Sequence, residues 1–314
     1  MRTHFDSELN NNYTGANITI MLLIAFFSTM FILFYDKLKQ PDSIANGLIF
    51  LMTLSVLLIL LSSKINNQRG KATIQTIFVL GFFAYFYGFI SDFQLIVHTQ
   101  WQDSKLIALD NYLFGSEISL IMQSIVSPYL TEAMMFAYVF YLPLLIIVGI
   151  VTFRAANARG LGEYLFALSL GYAVCYLGFI LFPVASQMYF KPGQYESALE
   201  GGLFTFLGEL MRSDAHFPGG NLPSPHCMAA TIMLFILFKY SRKLFYLFLP
   251  VILLLYVSTV YCRYHYAWDG IIAIALAIIL MKLLPVFQKL IDMFVLFYNS
   301  ILHPMCISES LSDK

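Results

Sequence analysis

The sequence contains few charged residues and no excess of either sign. Only 11% of its 314 residues are Asp, Glu, Lys or Arg, and eighteen acidic residues balance eighteen basic ones. Soluble domains carry about a quarter charged residues, so this composition excludes a water-soluble globular protein. A nucleic-acid partner would need a basic field that a neutral chain does not produce. We therefore expect no nucleic acid among its partners.

Cysteine is also scarce, and its spacing excludes two further classes of protein. The four cysteines are too far apart to form a disulfide framework or a CxxC metal site: Cys175, Cys227, Cys262 and Cys306. We interpret them as small apolar residues. The sequence predicts no bound metal and no cofactor.

Apolar residues, in contrast, make up 59% of the chain, and the mean hydropathy is +0.75. A helix needs about 20 residues to cross a hydrocarbon core of about 30 Å. Seven clear segments and one short segment fit this requirement: approximately 16–36, 44–63, 74–92, 130–153, 162–183, 225–239, 244–262 and 266–284. They predict an all-α integral membrane protein with about eight transmembrane helices.

These segments are most simply organised as one integral domain with three parts. We predict an N-terminal two-helix extension over 1–73, a six-helix core over 74–284 and a C-terminal tail over 285–314. The run 285–303 mixes proline and polar residues with apolar ones. This mixture favours a helix lying in the membrane interface over a ninth span.

The distribution of Lys and Arg predicts the orientation in the membrane. Eight spans place both termini on one side, and twelve of the basic residues fall on that side while six fall on the other. Because basic loops stay in the cytoplasm, we predict cytoplasmic termini. The long loops 93–129 and 184–224 then lie on the non-cytoplasmic face. The membrane is the inner or plasma membrane if the host is bacterial, and the Golgi or endoplasmic reticulum if it is eukaryotic.

Polar residues cluster in two segments on that face. The first, 219–226, reads GGNLPSPH and opens the short sixth span. Ser224 is a good N-cap, and Pro225 fits the first helical position. The amides that follow, including that of His226, lie at the positive end of the helix, where phosphate groups bind. We therefore predict that Ser224 contributes to a phosphate site within reach of a lipid headgroup.

The second segment, 258–269, reads STVYCRYHYAWD and joins the seventh span to the eighth. His265 and Asp269 are four residues apart, so they share one face of a helix that begins near His265. A carboxylate bonded to one imidazole nitrogen turns the lone pair of the other outward, which makes His265 a candidate nucleophile. His226 is the candidate acid and base for the leaving and entering oxygens. Arg263 is a candidate for neutralising phosphate charge.

Other interpretations of the same residues stay open at this point. His226 alone fits a helix-cap histidine, and His265 with Asp269 fits a structural pair or two ligands of a metal site. Asp214 and His216 fit either support of the site or ordinary loop polarity. Five further residues are interpreted as membrane-interface residues rather than substrate contacts: Tyr264, Tyr266, Trp268, His98 and Glu132.

The two segments resemble motifs of the type 2 phosphatidic acid phosphatase superfamily of membrane lipid phosphatases and phosphotransferases. Segment 223–226 resembles its P-S-x-H motif, and 258–269 resembles its closing S-x6-H-x3-D motif, with the same order and spacing. Segments 110–115 (DNYLFG) and 182–185 (FPVA) resemble the inositol phosphorylceramide synthase-like branch. The resemblance covers about residues 74–284.

This resemblance implies a role for each of three residues. His265 would be the nucleophile, Asp269 the residue that orients it, and His226 the acid and base. Histidines and cationic groups would then do the work that a metal ion does in other phosphoryl-transfer enzymes, so the activity is predicted to be independent of metal.

The chain also departs from the superfamily pattern at its phosphate-binding cations. The phosphatases carry an arginine beside the serine of the closing motif, where this chain has Thr259, and a Lys-x6-Arg-Pro motif that this sequence lacks. Lys191, Arg212 and Arg263 are the available substitutes. A threonine at this position is similar to the inositol phosphorylceramide synthases, whose donor is a phosphodiester.

The resemblance implies a membrane lipid phosphotransferase of sphingolipid metabolism, similar to inositol phosphorylceramide synthases. It would cleave a lipid phosphate ester through a phosphohistidine and transfer the phospho-headgroup to a lipid hydroxyl. One alternative is a lipid phosphate phosphatase that uses water as acceptor, with phosphatidic acid or polyprenyl phosphate as substrate. The other is a non-catalytic lipid-binding or transport protein. The expected partners are a phospholipid, a lipid or water acceptor, and the bilayer.

Overall fold

The computed structural model describes residues 12–215 and 217–302, and this part of the chain is helical, without a strand. Two short 3₁₀ turns follow the first and third helices, at Tyr35–Lys37 and Ile90–Phe93. The α-helices are α1 (Thr14–Leu33), α2 (Pro41–Lys64), α3 (Gln68–Phe89), α4 (Asp103–Phe114), α5 (Ile118–Gln123), α6 (Pro128–Leu181), α7 (Gln187–Phe190), α8 (Leu203–Ala215), α9 (Pro225–Tyr240), α10 (Arg242–Tyr261) and α11 (Ala267–Leu302).

Six helices in the described part are long and apolar enough to cross a membrane: α1, α2, α3, α6, α10 and α11. α6 contains a break with non-helical backbone angles at residues 156–157. Tyr164, after the break, donates a hydrogen bond to the Leu145 carbonyl before it (3.0 Å), and the hydroxyls of Tyr141 and Tyr172 also hydrogen-bond. α6 is therefore a hairpin that covers the fourth and fifth predicted segments, and the shorter α9 covers the sixth. The all-α integral membrane fold is confirmed.

Neither predicted domain boundary coincides with the end of a helix. The boundary between residues 73 and 74 falls inside α3, which begins at Gln68. The sequence predicts a separate interfacial helix over 285–303, whereas α11 continues through Pro285 to Leu302. A proline within a helix removes one donor but does not end the helix where neighbouring groups satisfy the freed carbonyl. The division into three parts stays a prediction.

Aromatic side chains join the N-terminal helices to α6. Phe27 of α1 meets Phe86 of α3 edge to face, with ring centroids 4.9 Å apart, and Phe86 stacks on Tyr176 of α6 at 5.5 Å. Tyr176 also donates its hydroxyl proton to the Phe83 carbonyl (2.6 Å). α1 and α3 therefore pack directly against the α6 hairpin, and α2 packs against α1 and α3.

The helix ends gather at two opposite ends of the bundle. At one end, the Ser127 amide before α6 donates to the Tyr261 hydroxyl at the end of α10 (3.4 Å). At the other, Lys239 near the end of α9 pairs with Glu163 just after the reversal of α6 (2.6 Å). We call the first the motif end, because both sequence motifs lie there. We call the second the basic end, because its turns carry Arg69, Arg154, Arg159, Lys239 and Arg242.

Candidate active site

His265 lies in the turn between α10 and α11. Its amide donates to the Thr259 carbonyl (3.0 Å), which holds the turn against the end of α10. Asp269, in the first turn of α11, accepts a hydrogen bond from the Tyr266 amide with Oδ2 (3.0 Å). The same oxygen lies 3.2 Å from Nδ1 of His265. The four-residue spacing therefore brings the carboxylate and the imidazole together.

Ser224 faces the other nitrogen of the same ring, with Oγ 3.2 Å from Nε2 of His265. As the N-cap of α9, Ser224 accepts a hydrogen bond from the Cys227 amide on the same oxygen (3.4 Å). The Ser224 amide donates to the Asp269 carbonyl (3.0 Å), so the two sequence motifs are joined directly. The predicted N-cap at Ser224 and the first helical position at Pro225 are confirmed.

The ring of His226 lies beside this group, with its centroid 5.9 Å from that of His265. Two tyrosines of α6 pack against it. Tyr138 stacks on the ring at 4.6 Å, and Tyr141 lies at 4.7 Å. Sequence reasoning missed both, because nothing distinguishes them from the rest of the twenty tyrosines in the chain. The structure thus brings two histidines from separate helix starts to the same place.

These residues are shielded from solvent: His265 is 3% exposed, and Asp269 and Ser224 are fully buried. Burial lowers the pKa of His265 from its ordinary value of 6.5 to about 3, and a hydrogen bond to the backbone of Asn221 acts in the opposite direction. The imidazole is therefore neutral at pH 7. Only this neutral form has a lone pair available for attack on phosphorus.

Two of the predicted phosphate-binding cations are engaged elsewhere. Lys191 pairs with Glu117, with Nζ 2.9 Å from Oε1. Arg212 pairs with Glu209 one turn earlier on α8, at 2.6 Å. Neither pair contacts the His265 ring by a hydrogen bond.

Arg263 is close to His265 in sequence, but its side chain points to the preceding loop. Its guanidinium donates to the Ser197 carbonyl (2.6 Å) and lies 4.0 Å from the centre of the Tyr195 ring. The left-handed backbone of Arg263, with φ of 66°, turns the chain between α10 and α11. Of the four predicted phosphate-binding residues, Ser224 contacts His265 while the three cations are held by other partners.

The loop before Ser224 is held in part by Gln94, a residue that the sequence did not indicate. Gly219 and Gly220 adopt positive φ angles of 115° and 69°. The Gly220 amide donates to Oε1 of the buried Gln94 (2.7 Å), and the Asn221 side chain donates to the Val184 carbonyl (3.0 Å). Gln94 follows the 3₁₀ turn after α3 and belongs to no motif, so no sequence signal could have identified it.

Two predicted interface anchors are wrong. Tyr264 is 1% exposed and lies 4.6 Å from the ring of Tyr138, and Tyr266 is fully buried. The reason is that the turn between α10 and α11 folds into the bundle instead of lying at its surface. Trp268 is partly buried. His216 lies outside the described residues, and the side chain of Asp214 is not described either.

Glu132, which the sequence predicts to be an ordinary interface residue, has a structural role in the fold. Its carboxylate accepts hydrogen bonds from the amides of Gly202, Phe204 and Thr205 (2.7–3.0 Å) and from the Thr205 hydroxyl (2.8 Å). The first amides of a helix have no acceptor within the helix, and at the start of α8 the Glu132 carboxylate accepts their hydrogen bonds. Glu132 therefore attaches α8 to α6. His98 is exposed.

Within residues 12–215 and 217–302, no group of three or more His, Cys, Asp or Glu residues is arranged to hold a metal ion. Three of the four cysteines, Cys175, Cys227 and Cys262, are free and buried. The metal-independent chemistry stays a prediction.

The sequence matches the family model described as the PAP2 superfamily over residues 104–283, more than half of the chain. This region begins at α4 and includes His226, His265 and Asp269. The protein belongs to the PAP2 superfamily, and it is an integral membrane enzyme of the lipid phosphatase or phosphotransferase type. No curated protein and no solved structure shows a significant match to the chain.

Proposed function

We propose that the protein transfers the phospho-headgroup of a membrane phospholipid to the hydroxyl of a second lipid, through a phosphohistidine at His265. The observation that carries this proposal is the placement of the His265 ring between Asp269 and Ser224, next to His226. With Nδ1 bonded to the carboxylate, the lone pair of Nε2 points toward Ser224, where the phosphoryl group would bind.

The reaction has two steps. In the first, Nε2 of His265 attacks phosphorus and the bond from phosphorus to the leaving oxygen breaks, while protonated His226 gives its proton to that oxygen. In the second, the acceptor hydroxyl gives its proton to His226 and attacks phosphorus, and the nitrogen–phosphorus bond breaks. Asp269 balances the positive charge that develops on the His265 ring. The Ser224 hydroxyl and the first amides of α9 donate to the phosphoryl oxygens.

An apolar cleft beside the site supports a lipid substrate. It has a volume of about 260 Å³ and is lined by side chains of α5, α10 and α11 together with Cys227 and Gly270. Cys227 follows His226 in the sequence and Gly270 follows Asp269, so the cleft adjoins the catalytic residues. A hydrocarbon chain in this cleft would place its phosphate ester at the buried His265 and the partly buried His226.

The charges around the site favour a phosphodiester donor. Lys191, Arg212 and Arg263 are each engaged with protein partners. A phosphodiester carries one negative charge and a phosphomonoester up to two, so a site with fewer available cations suits the diester better. The burial of His265 also limits access of water, which favours a lipid hydroxyl as the acceptor.

The active site lies at the motif end of the bundle, opposite the basic turns. Because basic loops stay in the cytoplasm, we propose that the site faces the non-cytoplasmic leaflet and that the termini are cytoplasmic.

Purified protein supplied with phosphatidylinositol plus ceramide, and in parallel with phosphatidic acid alone, tests the proposal. We expect a phosphorylated ceramide product together with diacylglycerol in the first reaction, and none with the variant His265→Ala. Release of inorganic phosphate as the sole product would contradict transfer and support a lipid phosphate phosphatase. Phospholipid binding without any labelling of His265 by a lipid phosphate would indicate a non-catalytic lipid-binding protein.

A further inference from the structure

A second and larger cleft lies at the basic end, away from the histidines. It has a volume of about 1370 Å³ and opens between α3 and the part of α6 before its reversal. Binding pockets for small molecules usually measure about 300–1,000 Å³, so this cleft has room for a ligand of lipid size.

The walls of this cleft are one face of α3 and one face of α6, with a gap between them. On α3 the lining residues recur every three or four positions from Arg69 to Gly81, and on α6 they recur in the same way from Ile146 to Asn157. This spacing defines one face of each helix. Gly81 contributes to the gap, because a Cβ atom added there would have no neighbour within 4 Å.

The polarity of the lining changes along the two helices. Residues at the mouth are polar and belong to the start of α3 with the two residues before it, and to the α6 reversal, including Arg69 and Arg154. Further along both helices from the mouth, the lining is mostly apolar and includes Ile77 and Ile150. Gly81 lies twelve positions after Arg69 on α3. This is about 18 Å of helix, which is comparable to half of a hydrocarbon core of about 30 Å. A ligand that fills the cleft must be amphipathic.

The positive charge at the mouth of the cleft favours a ligand with a negatively charged headgroup. Arg69 and Arg154 are both exposed, and the lining contains no Asp or Glu. The ion pairs found in the described part of the chain involve neither arginine. Two guanidinium groups at the membrane surface attract a phosphate group and present donors in the geometry that it accepts.

We propose that this cleft binds an anionic phospholipid from the leaflet at the basic end. Its phosphate lies between Arg69 and Arg154, and one acyl chain extends along the α3 stripe to Gly81. The site is separate from the catalytic histidines and from the smaller cleft beside Cys227, so its failure would leave the proposed function untouched.

Lipid binding to delipidated protein in a neutral detergent, followed by native mass spectrometry, tests the headgroup site. We expect the wild type to bind phosphatidylglycerol more tightly than phosphatidylcholine of the same chain length. The double variant Arg69→Gln/Arg154→Gln should lose about 30-fold in phosphatidylglycerol affinity, about fivefold for each arginine. The control is Arg159→Gln, which removes the same charge near the same reversal but outside the lining. An equal loss in Arg159→Gln, or equal affinity of the wild type for both lipids, would overturn the proposal.

A pair of glycine substitutions tests the chain-binding part independently. Gly81→Leu places a side chain in the cleft, whereas Gly88→Leu adds the same side chain to the same helix outside it. An added Cβ meets no atom within 4 Å at either position, so neither substitution is expected to disturb the fold. We expect Gly81→Leu to lose at least tenfold in affinity for phosphatidylglycerol and Gly88→Leu to match the wild type. Equal binding by both variants would refute occupation of the cleft by the chain.

Discussion

The two nitrogens of His265 have different partners, and this difference separates the roles of its neighbours. Nδ1 lies against the Asp269 carboxylate and Nε2 lies against the Ser224 hydroxyl. A substitution at Asp269 therefore changes how the ring is held, whereas a substitution at His265 removes the atom that we propose attacks phosphorus.

We expect His265→Ala to lower turnover by more than about 10³-fold, because no other side chain supplies the attacking nitrogen. Asp269→Asn should lose only about 10–100-fold, because the amide oxygen still accepts a hydrogen bond from the ring. Initial rates measured on protein with unchanged thermal stability compare the two variants. Full turnover by His265→Ala would show that His265 is not the nucleophile.

The lowered pKa of His265 predicts a pH dependence of stability. In the unfolded chain the ring takes up a proton near pH 6.5, whereas burial in the folded protein lowers its pKa to about 3. The unfolded state therefore binds more protons between these values, and stability falls as the pH is lowered below 6.5, by up to about 1.4 kcal/mol per pH unit. Thermal unfolding at pH 4–7 should show a weaker dependence in His265→Gln than in the wild type. The exposed His98→Gln serves as the control, and an equal slope in both variants would contradict the prediction.

At the scale of the structural elements, the conformation of the loop 219–224 depends on close contacts with the residues around it. Gly219 has a φ of 115°, and an added Cβ atom would lie 2.0 Å from Oε1 of Gln94. The Gln94 side chain also accepts a hydrogen bond from the Gly220 amide, so Gln94 and the loop fix each other's position. The position of Ser224 therefore depends on packing outside the two motifs.

We expect Gly219→Ala to lower turnover by about 10²-fold, because displacement of this loop by about 1 Å misplaces Ser224 against His265. The control is Gly193→Ala. Gly193 has a similar φ of 90°, but an added Cβ atom there would meet no atom within 4 Å. Gly193→Ala should lower the free energy of unfolding by about 1 kcal/mol through backbone strain and leave turnover unchanged. Turnover and thermal midpoints measured on both variants check this, and equal effects would show that strain alone matters.

At the scale of the whole molecule, the bundle has two chemically different ends. His226, His265 and an apolar cleft lie at the motif end, while the arginine-rich turns and the larger cleft lie at the basic end. The antiparallel course of the helices keeps these features at opposite ends of the bundle. In the proposed orientation, a lipid bound at the basic end would come from a different leaflet than a lipid that reacts at the motif end.

Cysteine labelling of intact cells tests this orientation with two matched alanines, both of which are exposed. Ala198→Cys lies in the loop that contacts Arg263, and Ala155→Cys lies at the reversal of α6. In a Cys306→Ser background, where the three other cysteines are buried, a membrane-impermeant maleimide should label Ala198→Cys directly. It should label Ala155→Cys only after the membrane is permeabilised. The reverse pattern would place the active site on the cytoplasmic side.

The predictable features are those encoded by short-range spacing. The spans follow from runs of apolar residues, and the contact of His265 with Asp269 follows from a separation of four residues at a helix start. The N-cap at Ser224 follows from its side-chain chemistry and the proline after it. Each of these depends on geometry within a few residues, which varies little between proteins.

The arrangement of residues from separate helices could be decided only by the tertiary structure. From the sequence, Lys191, Arg212 and Arg263 are equally good candidates for binding a phosphate. In the structure, each is held by a protein partner instead. The sequence also contains twenty tyrosines, of which packing places Tyr138 and Tyr141 against His226. Helix geometry is set by local backbone hydrogen bonds, whereas contacts between helices depend on how all the side chains fill the space between them.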